Sequence, residues 1–546
     1  MRKQTESKRP FLESVGYAID RMISVFNPRA AYKNMAFRSA NRIMAGSYKG
    51  ASKTRLRQDW APGGYSADAD LLPELSDLRE RSRDLNRNDA HAAGITSTLV
   101  TNTVGTGIKL QSRIDAKALG ISDEQAKQLR FEAERAWDKW CNFADAGERL
   151  NFDEIQGLVD RQILENGEAI LQAVMIQSDD SRPFYFALDN IEADRLDTPW
   201  DKKSDKNIRY GVEIGDRGQP VAYWINKQHP GDSTFMKKFG MNDFVRVPAK
   251  NELGRKNIHH LFPVLRAGQT RGVPFFAPVL TYFKDLADYM EAELVAARIA
   301  ACFAIFIKKD DAYNSAQAYT DQTNAAGQRE QELEPGMIEH LGPGEDITSF
   351  NPNRPGGTFE PFVDRILRAL ATGLNLPYEI VAKDFSKTNY SSARAALLQA
   401  YRYFKVRQKF LSTHLNQPCY EMVLEEAWLR GEFGVNDFYE NKYEYCRAMW
   451  VPQGWQWVDP LKEAESSKLA INNALTTLAD ECAAQGKDVE EVLEQRAREL
   501  SYIKELEEKH GIKIIESDKK SNDQSMGGGE NQDDGPAKPA EEAIPK

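Results

Sequence analysis

The chain has 546 residues, of which 41% are hydrophobic and 28% charged, and 72 Lys and Arg against 82 Asp and Glu give a net charge of −10. This composition is typical of a folded protein with a large core, and the length allows about three to four domains. The acidic balance disfavours a protein that coats DNA electrostatically, and no apolar run is long enough to span a membrane.

The N-terminal segment 1–60 forms a basic arm. It carries 13 Lys and Arg against four Asp and Glu, a net charge of +9. Such an arm either touches nucleic acid or an acidic partner, or is a partly disordered, solvated segment.

Helical patterns follow at 74–104 and 122–143. A third predicted helix runs from Asn151 to Leu164, with Asn151 as N-cap and Glu154 at the position that completes a capping box. The apolar run Glu168–Ile176 then predicts a β-strand.

The character of the sequence changes at 183–265, where short β-like runs appear. They are Pro183–Leu188, Tyr210–Ile214, Val221–Ile225 and Phe244–Val247. Asp216-Arg-Gly218 predicts a hairpin turn between the second and the third. We therefore expect a small β-rich module between helical regions.

A long helix is predicted for Pro278–Ile307, which has no internal proline or glycine. Unbroken, it would span about 45 Å. Its many alanines, among them Ala287, Ala292, Ala296, Ala300 and Ala304, allow close helix packing. The helix is either the central core helix of a monomer or packs against copies of itself in an oligomer.

Polar, loop-rich sequence at 310–360 precedes further helices. Pro361–Thr372 is predicted to be helical up to Gly373. Ser391 is expected to cap a basic helix over 392–416, which a hydrophobic helix over 418–430 follows. Asp459-Pro460 opens helical sequence to about His510. The acidic segment 516–546 is predicted to be disordered.

Motifs that mark enzymes are missing. The sequence has no GxxxxGK[ST], HExxH or GxSxG. His259-His260 is a poor chelate because adjacent side chains diverge, and Val104-Gly-Thr-Gly107 is interpreted as a tight turn. The five scattered cysteines indicate reduced core thiols. We predict no catalytic residues, no metal and no cofactor.

Nine segments in register resemble the lambda-type portal proteins of tailed phages, over roughly residues 15–510. The quoted segments are Ser66–Asp70 with Arg81–Leu85, Asn102–Ile108, Glu165–Glu168, Gly268–Pro274, Leu333–Gly336, Leu341–Asp346, Leu376–Tyr378, Asn389–Arg394 and Trp457–Glu463.

The resemblance implies an α+β, mainly helical portal fold of wing, stem, clip and crown that assembles as a ring around a central channel. The expected division is a basic arm (1–60), the wing (61–180 and 310–440), a β-rich clip (181–265), a stem helix (266–309), a helical crown (441–515) and an acidic tail (516–546). A tunnel loop near 351–358 is expected to face the channel with Asn351, Asn353, Arg354, Gly356 and Gly357.

The resemblance further implies the function. A ring, usually of twelve copies, would sit at one capsid vertex of the virion, where double-stranded DNA is packaged and ejected without sequence specificity. Expected partners are the large terminase subunit, scaffold, the major capsid protein, and head-completion and tail proteins. Assembly would take place in the host bacterial cytoplasm. The five alanines of the long helix are the candidate stem interface.

Two other functions stay open at this point. One is another oligomeric head–tail adaptor, and the other is a maturation hydrolase, for which no nucleophile–base motif is found. Arg354 either touches phosphate or pairs with a neighbouring acid. The basic helix face of Arg402, Lys405 and Lys409 is either a subunit interface or solvated face, or a DNA track.

Overall fold

The computed structural model describes residues 62–177, 181–232, 243–302, 306–309, 345–348, 359–455 and 460–513, with Arg29 and Lys33. The chain divides into two units, Met1–Asp70 and Leu71–Lys546. Apart from the beginning of a short helix, all the elements given below belong to the second unit.

Helices make up most of the described chain. They are α1 (Ala67–Leu71), α2 (Leu75–Asn88), α3 (Ala90–Thr103), α4 (Ala116–Leu119), α5 (Asp123–Cys141), α6 (Phe152–Asn166), α7 (Leu280–Cys302), α8 (Phe359–Gly373), α9 (Tyr378–Ala382), α10 (Tyr390–Leu411), α11 (Gln417–Leu429), α12 (Lys442–Tyr445), α13 (Pro460–Asn472), α14 (Leu478–Ala484) and α15 (Val489–His510).

The strands of the described residues form four small antiparallel sheets. They are β1 (Lys109–Ser112), β2 (Ala169–Met175), β3 (Phe186–Ile191), β4 (Ile208–Arg209), β5 (Val212–Ile214), β6 (Pro220–Asn226), β7 (Phe244–Pro248), β8 (Ile258–Leu261), β9 (Phe306–Lys309), β10 (Glu345–Thr348) and β11 (Ala448–Val451). The sheet orders are β1-β11, β10-β9, β3-β2-β8 and β4-β5-β6-β7.

Several local signals in the sequence are confirmed. The Asn151 side chain accepts from the Glu154 backbone N–H, and the Glu154 carboxylate accepts from the Asn151 N–H, so the capping box is complete. The four β-like runs overlap strands β3, β5, β6 and β7, and the first and second of them begin before the strand does. Gly218 has φ 76° in the turn between β5 and β6, and Gly105 and Gly107 have positive φ in the predicted tight turn.

The long helix is shorter than predicted, because α7 ends at Cys302 and not at Ile307. Phe306–Lys309 is instead strand β9, antiparallel to β10, with Ile307 opposite Ile347 and Lys309 opposite Glu345. Aromatic and β-branched residues favour strands. Their pairing partner is distant in sequence, so helical periodicity alone could not reveal it.

The predicted N-cap Ser391 is also wrong. Helix α10 begins at Tyr390, and the Asn389 side chain caps it by accepting from the Ser392 backbone N–H at 2.8 Å. The helix predicted to reach residue 416 is a regular α-helix only as far as Leu411. A π-helical turn, Ser412–Asn416, then joins α10 directly to α11.

The largest hydrophobic core joins α5, α6 and α11. Trp137 and Trp140 of α5 lie with ring centroids 5.0 Å apart, and both contact Phe152 of α6. Tyr420 of α11 packs edge-on against Trp137. The buried Trp140 indole N–H donates to the Phe186 carbonyl at 2.9 Å, which fixes strand β3 to this core.

A second core holds the first half of α7 between α3, α8 and α10. It contains Leu99, Phe283, Leu370 and Phe404, all buried. A third and smaller core lies among strands β2–β8, which we call the β-rich part, and it contains Ile170 among other residues. The β-rich part is therefore connected to the helices through β2, which also follows directly from α6.

Two glycines allow the backbone after α6 to contact the loop before α7. Gly167 has φ 85°, and a Cβ added at Gly272 would lie 2.0 Å from the Gly167 carbonyl oxygen.

We expect Gly272→Ala to lower the free energy of unfolding by more than about 2 kcal/mol, because the backbones must separate. Urea denaturation measures this. Gly434→Ala, where a Cβ would meet no atom of the described residues within 4 Å, is the matched control. Equal losses in both variants would contradict the expected effect.

Glu134 of α5 is half-buried and accepts from the Ser112 backbone N–H at 2.7 Å. Burial raises the pKa of Glu134 to about 7, and nearby Asp488 adds to the rise. A folded pKa above the unfolded one means that the folded state binds more protons between pH 4.5 and about 7. Stability is therefore lost as the pH rises through that window.

We expect Glu134→Gln to be about 1 kcal/mol more stable than the parent at pH 8, after allowance for solvent screening, and equal to it at pH 4. Gln keeps the acceptor for Ser112 without the charge. Urea midpoints at the two pH values measure the difference. An equal shift at both values would show that packing, not charge, is responsible.

Four cysteines have described side chains, and all are free thiols. Cys419 and Cys446 are buried, whereas Cys141 and Cys482 are half-buried. Burial raises the pKa of Cys446 to about 12.

None of the helices in the described part of the chain has the length and apolarity of a membrane span.

Candidate functional site

A buried carboxylate, Glu168, lies at the junction between the helices and the β-rich part. It follows Gly167, whose left-handed backbone ends α6, and precedes β2. Its side chain has no solvent exposure. A buried carboxylate needs opposite charges and hydrogen bonds to remain ionised.

Four groups from distant parts of the chain donate to Glu168. Arg271 reaches it through Nε at 2.8 Å and Nη2 at 2.5 Å. The Gly272 backbone N–H donates at 2.8 Å, and the His260 Nε2 lies 3.0 Å away. Arg79 of α2 completes the group through Nη2. We call Glu168, Arg79, Arg271, His260 and Gly272 the Glu168 cluster.

The electrostatics of the Glu168 cluster favour the ion pairs. Burial alone would raise the pKa of Glu168, but the Arg271 and Arg79 guanidiniums and His260 outweigh it and hold that pKa well below its usual value. Burial lowers the pKa of Arg79 to about 10, which leaves it charged at neutral pH. Burial also lowers the pKa of His260, against the attraction of Glu168.

The two arginines also tie separate segments together. Arg79 donates to the Asn166 carbonyl at 3.2 Å, at the end of α6. Arg271 donates to the carbonyls of Leu196 at 2.9 Å and Ala193 at 3.1 Å, and to that of Tyr210. The cluster therefore holds α2, α6 and the loop before α7 against the β-rich part.

The cluster continues outward to a more exposed ion-pair group. Asp194 accepts from Arg83 and lies 3.2 Å from the His229 Nε2. Among the described residues, Glu192, Asp194 and His229 are the one group whose ligand atoms approach closely enough to hold a metal ion. Arg83 already neutralises Asp194, so the arrangement is that of an ion-pair network.

The predicted tunnel-loop residues lie outside the described part of the chain. They are Asn351, Asn353, Arg354, Gly356 and Gly357.

The predicted interface alanines lie on or beyond α7. Ala287 and Ala292 are exposed, Ala296 is half-buried, Ala300 lies in the helix, and Ala304 falls outside the described residues. The second half of α7 also exposes large apolar side chains, including Met290, Val295 and Leu294, the last with 53% of its surface exposed. The first half of α7 is thus a core helix, and the second has an apolar face that the described residues leave uncovered.

The basic face of α10 is solvent-exposed at Arg402, Lys405 and Lys409. Arg407 of the same helix points inward instead, and its Nη2 lies 2.6 Å from the buried carboxylate of Asp160. The basic residues predicted on this helix therefore have two roles, one buried ion pair and one exposed row.

The two adjacent histidines diverge, as predicted. His260 joins the Glu168 cluster, whereas His259 is buried elsewhere, and both of its ring nitrogens lack a hydrogen-bond partner within the described part of the chain. Burial and the nearby Lys256 lower the pKa of His259 to about 4.

Three of the motifs on which the family resemblance was based meet in the Glu168 cluster and its extension. Arg83, Glu168 and Arg271 come from 81–85, 165–168 and 268–274. The profile of the family described as "Phage portal protein, lambda family" matches residues 53–408, well over half of the chain. The chain belongs to the lambda family of phage portal proteins.

Three curated portal proteins align with most of the present chain. "Portal protein B" of Escherichia phage lambda is 27% identical over 81% of this chain and 86% of its own length. The "Portal protein" of Escherichia phage N15 is 28% identical over 81% and 87%. The "Probable portal protein" of Halomonas phage phiHAP-1 is 25% identical over 88% and 92%.

Solved structures give a weaker likeness to this portal protein. The neck of a native gene transfer agent particle, computed with C12 symmetry, has a TM-score of 0.41 and 14% identity over 80% of this chain and 99% of that chain. An HK97-family portal protein from Corynebacterium diphtheriae has a TM-score of 0.27 and 10% identity, over 69% and 94%. The assignment rests on the sequence match.

The predicted family is confirmed, and with it the mainly helical α+β fold class and the function of a phage portal protein. The relatives are named for this structural role. The Glu168 cluster itself was not predicted. A signal was present, since Glu168 opens an apolar strand and Arg271 lies between Thr270 and Gly272, where an unpaired charge would be costly.

Proposed function

We propose that this portal protein assembles into a closed ring of about twelve copies at one capsid vertex, and that phage DNA enters and leaves through its channel. The family match over residues 53–408 carries the proposal. The apolar second half of α7 supports it, because a closed ring needs a head-to-tail interface on every subunit.

The charge of the chain suits a DNA conduit. Each phosphate contact by a basic residue adds to DNA affinity, and a channel that passes a whole genome must bind weakly. At −10 per chain, twelve copies would carry −120. DNA would therefore pass without sequence-specific contacts, and the tunnel loop with Arg354 is our candidate for the narrowest part.

The proposed division into domains follows the family. The sheet β4-β5-β6-β7 would belong to the clip, α7 to the stem and α13–α15 to the crown, with the wing between them. The large terminase subunit would dock during packaging, and head-completion and tail proteins afterwards. Scaffold and the major capsid protein would join the ring during assembly in the host cytoplasm. In this role the protein is a structural component and not an enzyme.

Native mass spectrometry with negative-stain class averages tests the ring. The assembly should have twelve times the mass of the 61.7 kDa chain, and class averages should show an open bore. Because portals can need scaffold to assemble, the measurement is repeated with the scaffold partner. A chain that stays monomeric even then would contradict the DNA-conduit proposal and favour an adaptor role.

A further inference from the structure

A cation-lined cavity lies between the β-rich part and α11. It has a volume of about 320 Å³, and its walls are the 250–256 loop, the first turns of α11, and Lys442. The charged lining residues are Lys250, Arg255, Lys256, Lys442 and Glu421. The lining thus contains four basic side chains and one carboxylate, an unusual excess of positive charge on a chain whose net charge is −10.

A buried acid beneath the cavity forms ion pairs with two of these basic side chains and so fixes their positions. Glu425 of α11 pairs with Lys442 at 2.9 Å and with Arg255, and it accepts from the Tyr439 hydroxyl at 2.6 Å. Its carboxylate is therefore fully used. Neither Lys250 nor Lys256 forms an ion pair with any residue of the described chain, so both ammonium groups are available to a ligand.

A buried side chain without a partner also lines this cavity. His259 is 2% exposed, and neither ring nitrogen has a hydrogen-bond partner among the described residues. Buried polar atoms are almost always hydrogen-bonded, so an unpartnered pair of ring nitrogens points to a missing group. A neutral imidazole can donate one N–H, which is what a carboxylate oxygen accepts.

The remaining walls are apolar. Leu253, Pro418 and Met422 complete the lining. A second cavity of about 660 Å³ shares Glu421 and Lys442 as its wall and adds Arg113 and Arg447. A ligand that extends across both cavities would meet alternating positive and apolar surfaces.

We propose that the cavity bounded by Lys250, Lys256, His259 and Lys442 binds an acidic peptide segment of a partner protein, with a carboxylate on the cations and an apolar side chain against Leu253 and Met422. The observations favour a peptide over DNA. A duplex presents its phosphates on a convex surface, which does not enter a concave space of this volume. The inference does not depend on the proposed DNA-conduit function.

Fluorescence anisotropy with the full chain tests the proposal. The probe is a fluorescein-labelled decapeptide of alternating leucine and glutamate, and a leucine–glutamine decapeptide is its neutral counterpart. We expect micromolar binding of the acidic probe only, weakening as salt is raised. The double variant K250E/K256E should weaken binding at least ten-fold, and His259→Phe at least three-fold.

The control is K202E/K206E, which changes the net charge equally at two exposed lysines remote in sequence from the cavity. It should alter binding less than two-fold. Equal weakening by the control, or equal binding of the neutral peptide, would overturn the proposal. Because the exposed lysines do not support the core, K250E/K256E keeps the test valid if His259→Phe fails to fold.

Two further outcomes would assign the cavity to another occupant and so overturn the proposal. One is tighter binding of a short DNA duplex that K250E/K256E abolishes, which would indicate a phosphate site. The other concerns the acidic end of this chain. If full-length D533N/D534N/E541Q/E542Q bound the probe ten-fold more tightly than the parent, the chain's own end would be the occupant.

Discussion

Replacing Glu168 by Gln should lower the free energy of unfolding by about 3–5 kcal/mol, because it leaves the buried guanidinium of Arg271 without a counter-charge and Arg79 with only Asp194, 3.5 Å away. Folded proteins are stable by only about 5–15 kcal/mol, so much of the variant should be insoluble. Urea denaturation of the soluble fraction at pH 7 measures the loss. Glu494→Gln, which breaks the exposed pair with Lys127, should leave the midpoint unchanged.

The pH dependence of the same group gives an independent readout. Since the pKa of folded Glu168 lies below the ordinary 4.5, the unfolded state binds more protons as the pH falls. The stabilisation is therefore complete above about pH 5 and is lost as the pH falls through the folded pKa. Glu168→Gln should lack this acid-sensitive component. A midpoint shift no larger than that of Glu494→Gln would show that the cluster adds nothing to stability.

Placing an aspartate at Leu294 should abolish ring assembly and leave the fold of the subunit intact. Leu294 is exposed and belongs to none of the hydrophobic cores of the described residues, so its replacement should leave the core packing intact. In a ring, the same carboxylate would be buried at every subunit contact, and burying an unpaired charge costs several kcal/mol at each. Native mass spectrometry should find monomers, while circular dichroism matches the parent.

Two controls accompany the Leu294→Asp variant. Leu294→Met keeps an apolar side chain of similar volume and should assemble normally. Leu429→Asp adds the same charge at another exposed leucine, at the end of α11. Rings of unchanged mass in Leu294→Asp would exclude the α7 face from the interface, and loss of rings in Leu429→Asp as well would show a general effect of charge.

Local signals in the sequence predicted those features whose cause is also local. The capping box at Asn151 and Glu154 lies within a single helical turn, and the hairpin turn at Gly218 needs only a short run. Both were predicted correctly. The cap of α10 was misplaced because Asn389 and Ser391 are both good N-caps, and residue type alone does not distinguish them.

Features with distant causes could not be predicted in the same way. The end of α7 depends on the pairing of Phe306–Lys309 with Glu345–Thr348, a strand that lies well beyond it in the sequence. The Glu168 cluster depends on side chains from positions 79, 168, 260 and 271, which only the folded backbone brings together. The motifs that indicated the family nevertheless include Glu168 and Arg271, which meet in the Glu168 cluster.

The wide spacing of the Glu168 cluster has a consequence for synthesis on the ribosome. The carboxylate and its second guanidinium are 103 positions apart, so a nascent chain exposes Glu168 and Arg79 long before Arg271 emerges. Until then, the Glu168 cluster is incomplete. Contacts of such long sequence separation form slowly. Folding of this subunit should therefore be completed only after the growing chain has passed residue 271.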